Sequence, residues 1–211
     1  EIYTLSLHDA LPILAFPRRE GQGEGSVLQG RGPVSIPYMP AMLLPSTTGI
    51  MGIEAHPAKV KQQLQRIVKA EQPITFSLLC RRIASLWNAT NSPRLQKNIR
   101  LFMGDFYMDP LTMIDNPYFW TDAQASENYI NYRTDSNRDI ADIPLIEICN
   151  AMHYAVEQQI AVPIEDLQKQ TAKMLGFSRT TDRVNTYLRQ ALDHLQSTGA
   201  IQVDATTVKL P

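Results

Sequence analysis

Cysteine is scarce in this sequence, and the two present, Cys80 and Cys149, stand 69 residues apart with no C-x-x-C pair and no Cys/His cluster. That spacing excludes a zinc ribbon or finger and a disulfide scaffold. It leaves two buried free thiols, as expected in a reducing cytoplasm. No uninterrupted apolar run approaches the roughly 18 residues a membrane-spanning helix needs. Phosphate-loop chemistry is missing too: the run GQGEG (Gly21–Gly25) has no GK[ST] after it and no apolar strand before it. His153 and His194 sit at helical positions without a second ligand, and Asp139 and Asp142 share a turn without a third. No catalytic residue, metal or cofactor is therefore expected. An overall basic excess is absent as well, with 20 Lys plus Arg against 21 Asp plus Glu, a net charge of −1. Proteins that bind nucleic acid usually carry such an excess. What the sequence does have is 44% hydrophobic residues in 211, enough to bury the core of one good-sized domain or two small ones.

The near-neutral total hides an uneven distribution. Residues 1–55 carry a net −2, residues 56–105 a net +7, residues 106–166 a net −9 and residues 167–211 a net +3. Two basic blocks flank an acidic one.

The first thirteen residues, EIYTLSLHDALPI (Glu1 to Ile13), lack the basic start of a signal peptide, and Asp9 breaks their apolar stretch. They back-translate to a widely used short-read sequencing adaptor, so residues 1–13 are expected to be a translated adaptor joined to a gene fragment. Residues 14–55 show no helical or strand period and are broken by GRG (Gly30–Gly32) and by Pro17, Pro33, Pro37, Pro40 and Pro45. They read as a Gly/Pro-rich linker or the remnant of an upstream domain.

Beyond residue 55 one order of elements is written twice. Val60, Leu64, Ile67 and Val68 share a helical face that ends at Glu71-Gln72-Pro73. Ile74-Thr75-Phe76 makes a short apolar bridge, and Thr75 or Ser77 caps a second helix with Leu79, Ile83 and Leu86 inward. After the turn Asn88–Asn91, Ser92-Pro93 starts a third helix with Leu95, Ile99 and Phe102 inward. Two β-prone runs across residues 106–120 then suggest a hairpin. In the second half Pro144 opens a helix carrying Leu145, Ile148, Met152 and Val156. Ile160-Ala161-Val162 bridges to a helix begun by Pro163, with Ile164, Leu167, Met174 and Leu175 apolar and Gly176 as its left-handed cap. Thr180 or Thr181 caps a longer helix with Val184, Leu188, Leu192 and Leu195, and residues 201–210 alternate around Asp204-Ala205-Thr206 as a second hairpin. Identity between the halves is poor; the order is what repeats. It predicts a mainly α fold with small β-hairpins (α+β), arranged as tandem winged helix-turn-helix units. Unit one spans 56–122, an acidic connector 123–141 and unit two 142–211. A single α+β helical domain with one wing is the structural rival.

Residues Pro73–Asn88 (PITFSLLCRRIASLWN), with Glu71 before them and Arg94 after, resemble the domain of unknown function that closes very large bacterial helicase-like proteins of superfamily one. Glu71, Pro73, Ile74, Leu79, Arg81, Arg82 and Ile83 match that family's pattern. The stretches from Tyr132-Arg133 through Arg138 to Ile148, and Leu175–Val184 (LGFSRTTDRV), resemble its downstream part. The resemblance covers roughly residues 57–210, with Asn88 where the family often has glycine. It implies a non-catalytic tail on a parent whose upstream domains are helicase and often Vsr-like nuclease domains, in several cases from phage-defence loci.

The expected DNA contacts lie on the basic faces of these units: Arg81, Arg82, Arg94, Lys97 and Arg100 in unit one, and Arg179, Thr180, Thr181, Arg183 and Arg189 in unit two. A third helix offers backbone N–H groups and a positive dipole end to phosphate, and arginines that reach backbone or base edges. The same residues also fit a solvated helix face. Tyr118, Phe119 and Trp120 read as core residues of the wing strand rather than a base-stacking platform, and the acidic middle reads as solvated surface rather than a segment docked on a basic patch. The function read from this pattern is an accessory module that holds DNA for upstream helicase or nuclease domains of the same parent, in the cytoplasm and off the membrane. The alternative is a protein–protein docking module that anchors those domains without contacting DNA.

Overall fold

A computed structural model of the chain describes residues 33–46, 49–111, 116–134 and 137–211. The adaptor-like segment and residues 14–32 of the Gly/Pro-rich stretch lie outside the described residues. The fold is α+β, mostly helical with small sheets.

The chain enters through strand β1 (Val34–Pro37) and helix α1 (Gly49–Ala55). Both fall within 14–55, read as a linker or the remnant of an upstream domain; β1 pairs with a later strand, and Tyr38, Ala41, Leu43, Ile50 and Ile53 pack on the first core. The prolines there do not prevent pairing, because β1 is an edge strand whose unpaired side needs no N–H donors.

Helix α2 (Pro57–Glu71) begins on a proline, which loses nothing in a first turn whose N–H groups have no helical partner. It buries Val60, Leu64, Ile67 and Val68. Strand β2 (Ile74–Thr75) leads into α3 (Phe76–Leu86), capped by Thr75, whose hydroxyl accepts the Leu78 N–H at 3.4 Å. Asn88 takes the left-handed conformation with φ +45°, so asparagine does serve where the resemblance has glycine. Ser92 then caps α4 (Pro93–Arg100), accepting from Leu95 N–H at 3.3 Å, and Leu95 and Ile99 point inward. Strands β3 (Tyr107–Met108) and β4 (Tyr118–Trp120) complete an antiparallel sheet of order β2-β4-β3. Ile74 pairs with Phe119, and Tyr107 with Trp120.

The middle of the chain is not a plain connector. Residues 123–141 contain α5 (Ala123–Glu127) and β5 (Asn131–Thr134), and β5 runs parallel to β1 with Val34 opposite Asn131. Arg133 and Arg138, the two cations of this acidic block, are both buried. The expectation of a solvated surface fails there because a buried carboxylate, described below, gives them a dry partner.

Helix α6 (Leu145–Glu157), strand β6 (Val162–Pro163), helix α7 (Ile164–Met174), helix α8 (Asp182–Ser197) and strands β7 (Gln202–Asp204) and β8 (Thr207–Lys209) follow. Their sheet order, β6-β8-β7, repeats the first one, with Val162 opposite Val208 and Val208 opposite Val203. Gly176 closes α7 at φ +93°, where a side chain would be strained, and Phe177 N–H returns to the Ala172 carbonyl at 2.9 Å. Thr181, not Thr180, caps α8.

Each half has its own core. The first gathers α2, α3, α4 and Phe119 around Leu79, Ile83 and Trp87, with Tyr38, Ala41, Leu43 and Ile50 of the entering segment packed on it. The second gathers α6, α7, α8 and Val208 around Ile148, Met152 and Leu188. A third cluster, Tyr118, Trp120 and Ile146, joins β4 of the first half to α6 of the second. Tyr118, Phe119 and Trp120 are all buried, so they are core residues as read. Both thiols are free and buried. Among the described residues no helix is long and apolar enough to cross a membrane.

Candidate nucleic-acid interface

The outward face of α4 carries Arg94, Lys97 and Arg100, all exposed. Arg94 is committed to Glu54 of α1 through a two-pronged contact, Nε to Oε1 at 2.7 Å and Nη2 to Oε2 at 2.6 Å. Asn98 adds a third bond to the same carboxylate at 2.9 Å. Hydrogen bonds from Arg94 and Asn98 hold the Glu54 carboxyl below the usual carboxylate range. Arg100 lies with its guanidinium carbon 4.3 Å from the Phe76 ring centre, a contact that orients the charge without neutralising it. Lys97 makes no side-chain ion pair or hydrogen bond with another described residue.

On α3 the paired arginines part company. Arg81 forms an ion pair with Asp142, the last residue of a short 3-10 turn (Ile140–Asp142) between the two halves. Arg82 turns the other way and donates to the buried Glu71 (3.2 Å) and to the Tyr38 hydroxyl (2.8 Å).

In the second half, Arg179 and Thr181 are exposed at the start of α8, and Thr180 is half-buried. Arg189 is exposed one face along. Arg179 and Arg189 have no side-chain partner among the described residues. Arg183 grips Asp139 with both ends of its fork, Nη2 to Oδ1 at 3.0 Å and Nη1 to Oδ2 at 3.2 Å.

Three of these cations meet. Arg81 and Arg100 from the first half and Arg183 from α8 line one open cleft of about 620 Å³, together with Asp139, Asp142 and Asn116. The acidic segment therefore does dock against basic residues, against the solvated reading. The cause is local: Asp139 caps the 3-10 turn by accepting the Ala141 N–H at 2.9 Å, and Asn116 donates to the Ala141 carbonyl at 2.6 Å. That pinned turn carries both carboxylates between α3 and α8. Arg82, Arg94, Lys97, Arg179, Thr180, Thr181 and Arg189 lie outside the cleft.

A second arginine cluster escaped sequence reasoning. Glu147 of α6, fully buried, accepts from Arg133 Nε at 3.0 Å and from both Nη atoms of Arg138 at 3.1 Å. Arg133 also donates to the carbonyls of Glu71 (2.6 Å) and Pro73 (2.5 Å), so it clasps the end of α2. The Tyr38 ring covers the Arg138 guanidinium at 4.4 Å. Burial alone would raise the Glu147 pKa, but the two guanidiniums more than offset it and pull the carboxyl down to about 2. Glu71 was legible only as a motif position; its role as the hub for Tyr38 and Arg82 was not.

Burial pushes His153 and His194 below the usual histidine range. Among the described residues no group of three His, Cys, Asp or Glu side chains is placed to hold a metal ion. No protein-family model, curated protein or solved structure matches this chain.

Proposed function

We propose that the chain is a non-catalytic DNA-contacting module built of two winged helix-turn-helix units, with α4 and α8 as the third helices and the β3–β4 and β7–β8 pairs as the wings. One observation carries the reading. The same order of elements and the same strand order, first-last-middle, occur twice, and each third helix presents arginine or lysine to solvent. A third helix in that arrangement is the element that enters a groove, with its wing along the neighbouring backbone. Lys97 and Arg100 on α4, and Arg179 and Arg189 at α8, are the cations available for phosphate. Arg94 and Arg183 become available when their surface partners yield, because exposed ion pairs are weak. Following the resemblance, the helicase or nuclease domains of a longer parent protein are the second partner, and phage defence is the setting.

Fluorescence-anisotropy titration of the chain with duplex, forked and single-stranded DNA at two salt concentrations tests the reading. Binding should weaken as salt rises, with a log–log slope of about −0.9 for each phosphate neutralised on duplex. Binding that ignores salt, or no binding, overturns it.

A second reading, a docking module that anchors upstream domains without touching DNA, is favoured by one specific observation. Asp139 and Asp142 already occupy Arg183 and Arg81. Retention of co-expressed upstream domains by a chain that leaves DNA in solution would favour it.

A further inference from the structure

The two carboxylates of the cleft between the halves are held differently. Asp142 is built in: it is 5% exposed, pairs with Arg81 and accepts the Ser77 hydroxyl at 3.2 Å. Asp139 is half exposed, and it meets a half-exposed Arg183 in the parallel two-oxygen geometry. A phosphodiester presents the same pair of oxygens to the same fork. Arg100 faces the cleft with its charge unspent, held over Phe76. Among the described residues that line the cleft, Arg81, Arg100 and Arg183 stand against Asp139 and Asp142, one positive charge in excess.

From this geometry we propose that the cleft between the two halves seats one backbone phosphate of a nucleic acid, gripped by Arg100 and Arg183, and that Asp139 holds that place on Arg183 in the free protein. The inference rests on the DNA-contacting reading above and adds its regulation: the module carries its own phosphate mimic, which nucleic acid must displace. Because Arg100 comes from the first half and Arg183 from the second, a seated phosphate would be shared by both units and would fix them on one continuous strand.

The test is an anisotropy titration of the whole chain with a labelled duplex, at two salt concentrations, on Asp139→Asn, Arg183→Gln, the double variant and Arg100→Gln. Asparagine keeps an oxygen for the Ala141 N–H, so the turn stays capped while the charge is lost. Asp139→Asn should tighten binding by about 3- to 10-fold, and the gain should vanish in the Arg183→Gln background. Arg100→Gln should weaken binding by about 3- to 10-fold and reduce the salt slope by about one. An equal gain from Asp139→Asn with and without Arg183 would mean general relief of negative charge and would overturn the seat. So would salt-dependent binding that neither Asp139→Asn nor Arg100→Gln moves, which leaves the DNA reading standing. No binding by the wild-type chain or any variant overturns both.

Discussion

Two clusters of arginine and carboxylate join the halves of this molecule, and water separates their roles. Around Glu147 the charges are dry: Arg133, Arg138 and Glu71 are buried with it, and every prong of the Arg133 fork is spent on protein oxygens. Around Asp139 they are wet, with Arg183 and Asp139 each at least half exposed. Removing charges from water costs several kcal/mol each, so a dry cluster persists only if each charge is matched; once formed, breaking it by one partner is expensive. A wet pair pays little to form and little to break. The first cluster is thus suited to fix the two units relative to each other, and the second to exchange its partner.

The sharpest way to break that contrast is Glu147→Gln. It removes the charge of the buried carboxylate that Arg133 and Arg138 share and should cost about 3–5 kcal/mol in urea unfolding. A loss under about 1 kcal/mol would show that the cluster is hydrated in solution. The same carboxylate sets an acid dependence. Its folded pKa lies near 2, below the usual 4.5, so its stabilisation is fully present above about pH 4.5 and is lost as the pH falls towards 2. The stability gap between wild type and Glu147→Gln should therefore be constant above pH 4.5 and shrink below it. A gap that widens on acidification contradicts the assignment.

Tyr38→Phe is the next step down. The Tyr38 hydroxyl donates to Glu71 and accepts from Arg82 at 2.8 Å, and it ties the entering segment to the dry cluster. Its loss should cost about 1–2 kcal/mol, since Arg82 still reaches Glu71. The urea midpoint reads this directly. No change would detach the entering segment from the lock.

Most of the helices behind this comparison were legible because their signals are local. Leu95 and Ile99, or Val184, Leu188 and Leu192, lie one turn apart on a face that any fold must bury, and Ser92 and Thr181 mark the helix starts by accepting the N–H three residues on. The clusters were not legible, for the same reason. Arg133 meets Glu71 across 62 residues, and β1 meets β5 across 97, from Val34 to Asn131. No period links such positions. One hint was available in α6: the run LIEICNAMHYAV is apolar on more than one face, and a helix of that kind is covered all round. Ile146, Glu147 and Asn150 are buried on the side away from the predicted stripe, where β4 and β5 lie. Charge counts by segment misled in the cleft, since Arg81 and Arg183, which looked free for DNA, are paired with Asp142 and Asp139, carboxylates distant in sequence.

The smallest expected effect on stability falls at the wet cluster, and it is the one that separates the two roles most cleanly. Arg183→Gln removes a charge whose partner, Asp139, is half solvated and still caps its turn through Ala141. Water replaces the guanidinium at little cost, so unfolding should shift by no more than about 0.5 kcal/mol. Its consequence should appear instead in the salt dependence of duplex binding. If Arg183→Gln instead cost more than about 1.5 kcal/mol, the cleft would be a second structural clasp. Arg183 would then have to be released from Asp139 at the expense of the fold before it could hold a phosphate.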